Sequence, residues 1–184
     1  ARLNDKKTDY IASLARAVSK EVPNLMLIAC NGMATYEQLS ELKKAGVFSY
    51  NHNLETSQEF FPKICKTHTW DERYQTNLDA KRAGLMLCTG GIYGVGESEA
   101  DRVSFRASLK ELEPFSSPIN FFIKNEALSL DLPPLSADEA LKIVHDTKSA
   151  LPETRVMIAG GREKILGDRQ YEIFENGADA IVIG

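Results

Sequence analysis

Three stretches of this 184-residue chain repeat one design. "KKAGVF", "KRAGLM" and "ENGADAIV" each set a glycine, at 46, 84 and 177, between a polar helical run and a short apolar run. A glycine there ends a helix in the left-handed conformation and turns the chain into the next strand. The unit is therefore helix, glycine cap, strand and loop, repeating every roughly 20 to 40 residues, the span of a βα crossover. Repeated βα units close into either a doubly wound sheet or a (β/α)8 barrel.

Six apolar runs read as strands: "LMLIAC" (25–30), "VFSY" (47–50), "LMLC" (85–88), "INFFI" (119–123), "VMIA" (156–159) and "AIVI" (180–183). Their apolarity is continuous, as parallel strands covered on both faces require. Capping boxes are expected where Thr35 precedes Gln38, Thr69 precedes Glu72 and Ser136 precedes Glu139. Ile11, Leu14, Ala15 and Val18 form one apolar helical face before the first strand. Unusual residues follow the strand ends at Cys30, Asn51 to Glu55, Cys88 to Glu97, Lys124 to Glu126 and Gly160 to Glu163. Spread over five strand ends, they favour a barrel rim over a single switch point. Six strands in place of eight predict a partial TIM barrel in the α/β class, one domain over residues 1–184.

Composition narrows the partners. With 43% hydrophobic and 26% charged residues the chain can bury a core. A net charge of −4 and the lack of any basic run argue against nucleic acid. The apolar runs are too short to span a bilayer, and the first residues lack the pattern of a signal peptide, so no membrane partner and a cytoplasmic location are expected. Three cysteines, Cys30, Cys65 and Cys88, make a disulfide framework improbable. No CxxC, CxxxCxxC or HExxH pattern occurs in these residues.

"YNHNLET" (50–56), "THTWDERYQT", "LCTGGIYGVGESEADR", "PINFFIK" and "AGGRE", in that order and spacing, resemble the biotin synthase family of radical S-adenosylmethionine (SAM) enzymes, over about Asp5 to Gly184. The resemblance implies strands 3 to 8 of a TIM barrel. It also implies three cofactors: SAM, a [4Fe-4S] cluster whose CxxxCxxC ligands are not in this sequence, and a [2Fe-2S] cluster with a partial ligand set. Cys30 and Cys88 match ligands of the two-iron cluster, the expected thiolate chemistry for iron and sulfur; read without the resemblance, they are better taken as inert buried thiols. Cys65 matches no ligand position. Met157 stands where many relatives carry an arginine ligand, so it is left out of the ligand set.

By the same resemblance Asn53 and Asn120 contact the ureido ring of dethiobiotin, which a carboxamide can match as both donor and acceptor. Glu55 takes the ribose hydroxyls of SAM, Arg73 its carboxylate, and Ile92 and Ile123 border the adenine through their backbone. His52 has no assigned role and reads as a histidine satisfied by local backbone. The implied activity is that of a sulfurtransferase of the radical SAM class, inserting sulfur into dethiobiotin to form biotin. This chain alone is expected to be inactive. The family also implies an electron donor protein and a homodimer. Two alternatives stay open: a phosphate-binding TIM-barrel lyase or isomerase using the glycine loops, or a non-catalytic truncated barrel.

Overall fold

The computed structural model describes residues 2–125 and 132–183. In chain order its elements are α1 (Asp5–Glu21), β1 (Leu27–Ala29), α2 (Tyr36–Lys44), β2 (Val47–Asn51), α3 (Phe61–Ile64), α4 (Trp70–Arg82), β3 (Met86–Cys88), β4 (Gly91–Tyr93), α5 (Glu99–Leu112), β5 (Ser116–Phe121), α6 (Ala137–Ala150), β6 (Arg155–Ile158), α7 (Arg162–Leu166), α8 (Glu172–Glu175) and β7 (Ala180–Ile181). They fall into two compact units, Ala1–Leu54 with His68–Thr89, and Glu55–Thr67 with Gly90–Gly184.

In the first unit β1, β2 and β3 pair in parallel. Register puts Ala29, Tyr50 and Leu87 on one face, where they are 6%, 0% and 2% exposed. Ile28, Ser49 and Met86 lie on the other, with Ile28 68% exposed. Helices cover the first face. Gly46 and Gly84 end α2 and α4 with φ of +99° and +78°, as the repeat requires. At Gly46 a Cβ would stand 2.7 Å from Ser19 Oγ on α1, so close packing adds to the conformational demand. The buried stripe of α1 is Thr8, Ala12 and Ala15, while Leu14 and Val18 remain 47% and 36% exposed. This corrects the expected apolar face, because small residues allow the near approach that larger ones prevent.

The second unit is also a parallel sheet, β4 beside β5, then β6 and β7. Its buried face carries Tyr93, Ile119, Phe121 and Ile158, each 3% exposed or less. Ile92, Asn120 and Met157 share the opposite face by register. Gly177 closes the preceding turn at φ +96°.

Seven strands are present among the described residues where six were expected. β4, "GIY", has three residues inside a glycine-rich turn and no apolar run to announce it. β5 also begins three residues early, at Ser116, because two small serines are buried there at 4% and 1%. Two of the expected capping boxes close fully, at Thr35 and Thr69. At Ser136 only half forms: the hydroxyl accepts from Glu139 N, but the Glu139 carboxylate instead accepts from Arg102 at 2.8 Å. A full box occurs at Ser98 and Asp101, where the shorter acid was not expected to close one. Glu126 lies outside the described residues.

Candidate functional site

In the first unit, strand alternation carries the open face of the sheet from Ile28, Ser49 and Met86 to Cys30, Asn51 and Cys88 two residues on. The two cysteines therefore share a face and flank Asn51, at about two strand spacings, roughly 10 Å, between backbones. Cys30 is exposed, Cys88 is 6% exposed, and neither is in a disulfide. Among the described residues no group of three or more His, Cys, Asp or Glu is gathered for a metal ion. Two thiols facing one way fit half the ligand set of an iron–sulfur cluster, and the described residues do not complete it. Cys65, also in no disulfide, caps α3 and lies 3.5 Å from Thr67 Oγ1.

The strand β2 continues into "HN". The His52 amide donates to Cys88 O at 3.0 Å, extending the ladder past β3. Its ring is 6% exposed and Nε2 is buried without a partner, so the ring is not satisfied by local backbone as the sequence led us to expect. Burial first, then the charges of Arg73 and His68, push its pKa down to about 3, so the ring is neutral. Asn53 offers its carbonyl to Arg73, whose NH1 donates at 2.5 Å while its Nε donates to His68 Nε2 at 2.9 Å. The guanidinium is thus fixed from α4 onto the loop that carries Asn53.

In the second unit Glu55 adopts φ +74°, a left-handed conformation rare for a side chain of its size. Its amide donates to Gly90 O at 3.1 Å and its carbonyl accepts from Ile92 N at 2.8 Å. Such proximity requires glycine: a Cβ on Gly91 would sit 2.2 Å from Glu55 O, and one on Gly90 2.0 Å from Pro118 O. Ile92 and Asn120 are register partners on β4 and β5. Asn120 Nδ2 donates to Gly91 O at 3.2 Å and its Oδ1 accepts from Gly160 N at 3.0 Å. One N–H and one lone pair of the carboxamide remain. Ile123 lines an open hollow of about 370 Å³ with Gly160, Gly161, Arg162 and Lys164.

Sequence reading missed the group that shapes the "GVGE" turn. The Glu97 carboxylate, 2% exposed, accepts from Gly94 N at 2.9 Å, Val95 N at 2.9 Å and Arg102 Nε at 2.9 Å, and Arg102 NH1 donates to Glu139. The signal was a glutamate and an arginine five residues apart, indistinguishable in sequence from a solvated pair. In the "AGGRE" loop the Gly160 amide is spent on Asn120, and Gly161 is held against Phe121 O, where a Cβ would stand at 2.1 Å.

Parallel α/β units with polar residues and glycine turns gathered after their strands define a barrel-type enzyme fold. Solved structures agree on the fold: methylornithine synthase (PylB) matches with a TM-score of 0.79 at 17% identity, over 96% of this chain and 52% of that one. The FeFe-hydrogenase maturase HydG from Carboxydothermus hydrogenoformans matches with a TM-score of 0.80 at 18% identity, over 96% and 43%. The fold class is α/β, part of a TIM barrel.

The radical SAM superfamily matches residues 4–109, and the chain belongs to it. The biotin and thiamin synthesis associated domain matches residues 118–184. The chain is 91% identical over all 184 residues to a biotin synthase of Campylobacter concisus (strain 13826), and 73% identical to one of Campylobacter curvus (strain 525.92). It spans 66% of the length of each. No helix among the described residues is long and apolar enough to cross a membrane.

Proposed function

We propose that this chain is the larger part of a biotin synthase, which inserts sulfur into dethiobiotin in a SAM-dependent radical reaction. The observation that carries the reading is the row Cys30, Asn51, Cys88 on one open sheet face, in a chain 91% identical to a biotin synthase over its whole length. When bound, SAM with its four-iron cluster supplies a deoxyadenosyl radical, and the two-iron cluster supplies the sulfur.

The residues of this chain bind and orient. Cys30 and Cys88 hold the two-iron cluster as thiolates. Asn53 and Asn120 each contact the ureido group of dethiobiotin. For Asn120 the unspent N–H and lone pair are the complement of a urea carbonyl and N–H. Glu55 takes the ribose hydroxyls, and its left-handed backbone is fixed by Gly90 and Ile92. Ile92 and Ile123 present backbone to the adenine, and Arg73 meets the SAM carboxylate with its fork. An electron donor protein, a homodimer and a cytoplasmic setting complete the reading.

Reconstitution with iron and sulfide of this chain within a full-length biotin synthase, where the ligand set is complete, tests it, read by visible absorbance and by bound iron. Cys30→Ala and Cys88→Ala should each abolish the signal of a two-iron cluster, and Cys65→Ala should leave it. A signal that survives both substitutions would refute the assignment.

A further inference from the structure

We propose that His68 is a positioning residue for Arg73, fixing the guanidinium through a bond that only a neutral imidazole can accept. A guanidinium is always charged and has donors only, so the 2.9 Å contact between Arg73 Nε and His68 Nε2 makes Nε2 the acceptor and leaves the ring proton on Nδ1. The second anchor of Arg73, the Asn53 carbonyl at 2.5 Å, accepts from a different nitrogen of the fork, NH1. Together they remove the rotational freedom that a long side chain otherwise keeps.

His68 immediately precedes Thr69, the N-cap of α4, and Thr69 is held by its capping box with Glu72. The histidine backbone is thus set by the helix it introduces, and its ring is set by the arginine one turn inside that helix. The charged and titratable groups facing His68 are Arg73 and Glu72 on α4, Arg2 near the chain start, and His52 at the end of β2. Burial first, then the Arg73 charge, lower its pKa, which keeps the acceptor available at neutral pH. As pH falls below the ordinary imidazole value of about 6.5, protonation removes the acceptor and sets a second cation beside Arg73.

The consequence for affinity rests on the reading that Arg73 meets the carboxylate of SAM. Two probes separate that reading from the positioning itself: S-adenosyl-L-methionine, and 5′-methylthioadenosine, which lacks the amino-acid carboxylate. His68→Ala should weaken SAM about tenfold, the factor that one hydrogen bond to a charged group commands, and leave methylthioadenosine within about twofold of wild type. His68→Gln, whose Oε1 can accept where Nε2 did, should restore SAM binding and abolish its loss at acid pH. Equal weakening of both probes by His68→Ala, or tighter SAM binding by wild type as pH falls, would overturn the proposal.

Nitrogen-15 NMR of the wild-type protein decides the positioning without any ligand. His68 Nε2 should show an unprotonated shift at pH 7, and the Arg73 Nε–H should exchange faster in His68→Ala than in wild type or His68→Gln. A proton on Nε2 at pH 7, or exchange indifferent to residue 68, would overturn it. If Arg73→Ala leaves SAM affinity unchanged while the nitrogen spectrum is as expected, the ligand reading of Arg73 fails and the positioning stands.

Discussion

Ile92 donates its amide to the carbonyl of Glu55 at 2.8 Å, and Glu55, at φ +74°, donates its own to Gly90 at 3.1 Å. Two segments far apart in sequence, the end of "YNHNLET" and the start of "GGIYGVGE", are therefore joined main chain to main chain. Gly91 of the second is a steric requirement of that junction. A left-handed non-glycine residue pinned on both sides of its own peptide is strain held by its surroundings, a pattern that clusters at ligand-contacting positions.

Gly91→Ala should cost about 3 kcal/mol or more, because its Cβ would meet Glu55 O at 2.2 Å and Phe105 Cζ at 2.6 Å. Gly84→Ala is the control. Its φ is also positive, at +78°, but the nearest atom is Lys43 Cε at 3.8 Å, so about 1 to 2 kcal/mol of backbone strain is expected. Urea denaturation midpoints of the two variants check the difference, and similar midpoints would show that proximity to Glu55 is not the constraint.

Glu97→Ala should destabilise by about 1 to 3 kcal/mol, the cost of leaving buried donors without their acceptor, since Arg102 keeps its pairing with Glu139. Arg102 keeps only 10% of its side chain exposed, and without Glu97 the amides of Gly94 and Val95 lose their acceptor as well. Adding Arg102→Ala should recover part of the loss. A double-mutant cycle measures it, and strict additivity would mean that the two side chains act independently.

What the sequence revealed and what it hid divide along one physical line. Local signals were legible: glycines 46, 84 and 177 end helices with positive φ, and Thr35 and Thr69 close capping boxes, because each depends on neighbours within four residues. Choices made by distant partners were not. Glu139 forsakes Ser136 for Arg102, thirty-seven residues away. The buried stripe of α1 follows Ala12 and Ala15 because what packs against it favours small side chains. β4 exists through its pairing with β5, since three residues beginning with glycine have little strand preference of their own. Candidate site residues could be named only from a pattern of motifs; nothing in the sequence shows that Arg73 is shared between Asn53 and His68.

Asp179 should mark the acid limb of stability. Burial alone would raise its pKa, but the hydrogen bond from Lys148, the Val156 amide and the nearby charges of Lys148 and Arg155 outweigh it and lower the value. A depressed folded pKa means stability that is full above the ordinary carboxylate value of about 3.9 and lost as pH falls through the folded one. Asp179→Asn should therefore cost about 1 kcal/mol or less at pH 7, since the pair is partly exposed, and should narrow the gap to wild type below about pH 4. Thermal midpoints at pH 7 and pH 3 check it; a gap that widens at acid pH would contradict the sign.

The three thiols should differ in reactivity in a fixed order. Cys30 is exposed, Cys65 intermediate and Cys88 buried at 6%. Access of reagent to sulfur sets the rate when thiolate fractions are comparable, so maleimide should label Cys30 fastest and Cys88 slowest in the native protein. Denaturation should bring the three together. Time-resolved mass spectrometry of labelled peptides measures this directly. Within a full-length biotin synthase reconstituted with iron and sulfide, Cys30 and Cys88 should both become protected while Cys65 keeps its rate, because two thiolates bound to iron cannot be alkylated. Protection of Cys88 alone would leave Cys30 outside the cluster, although the sheet places it on the same face.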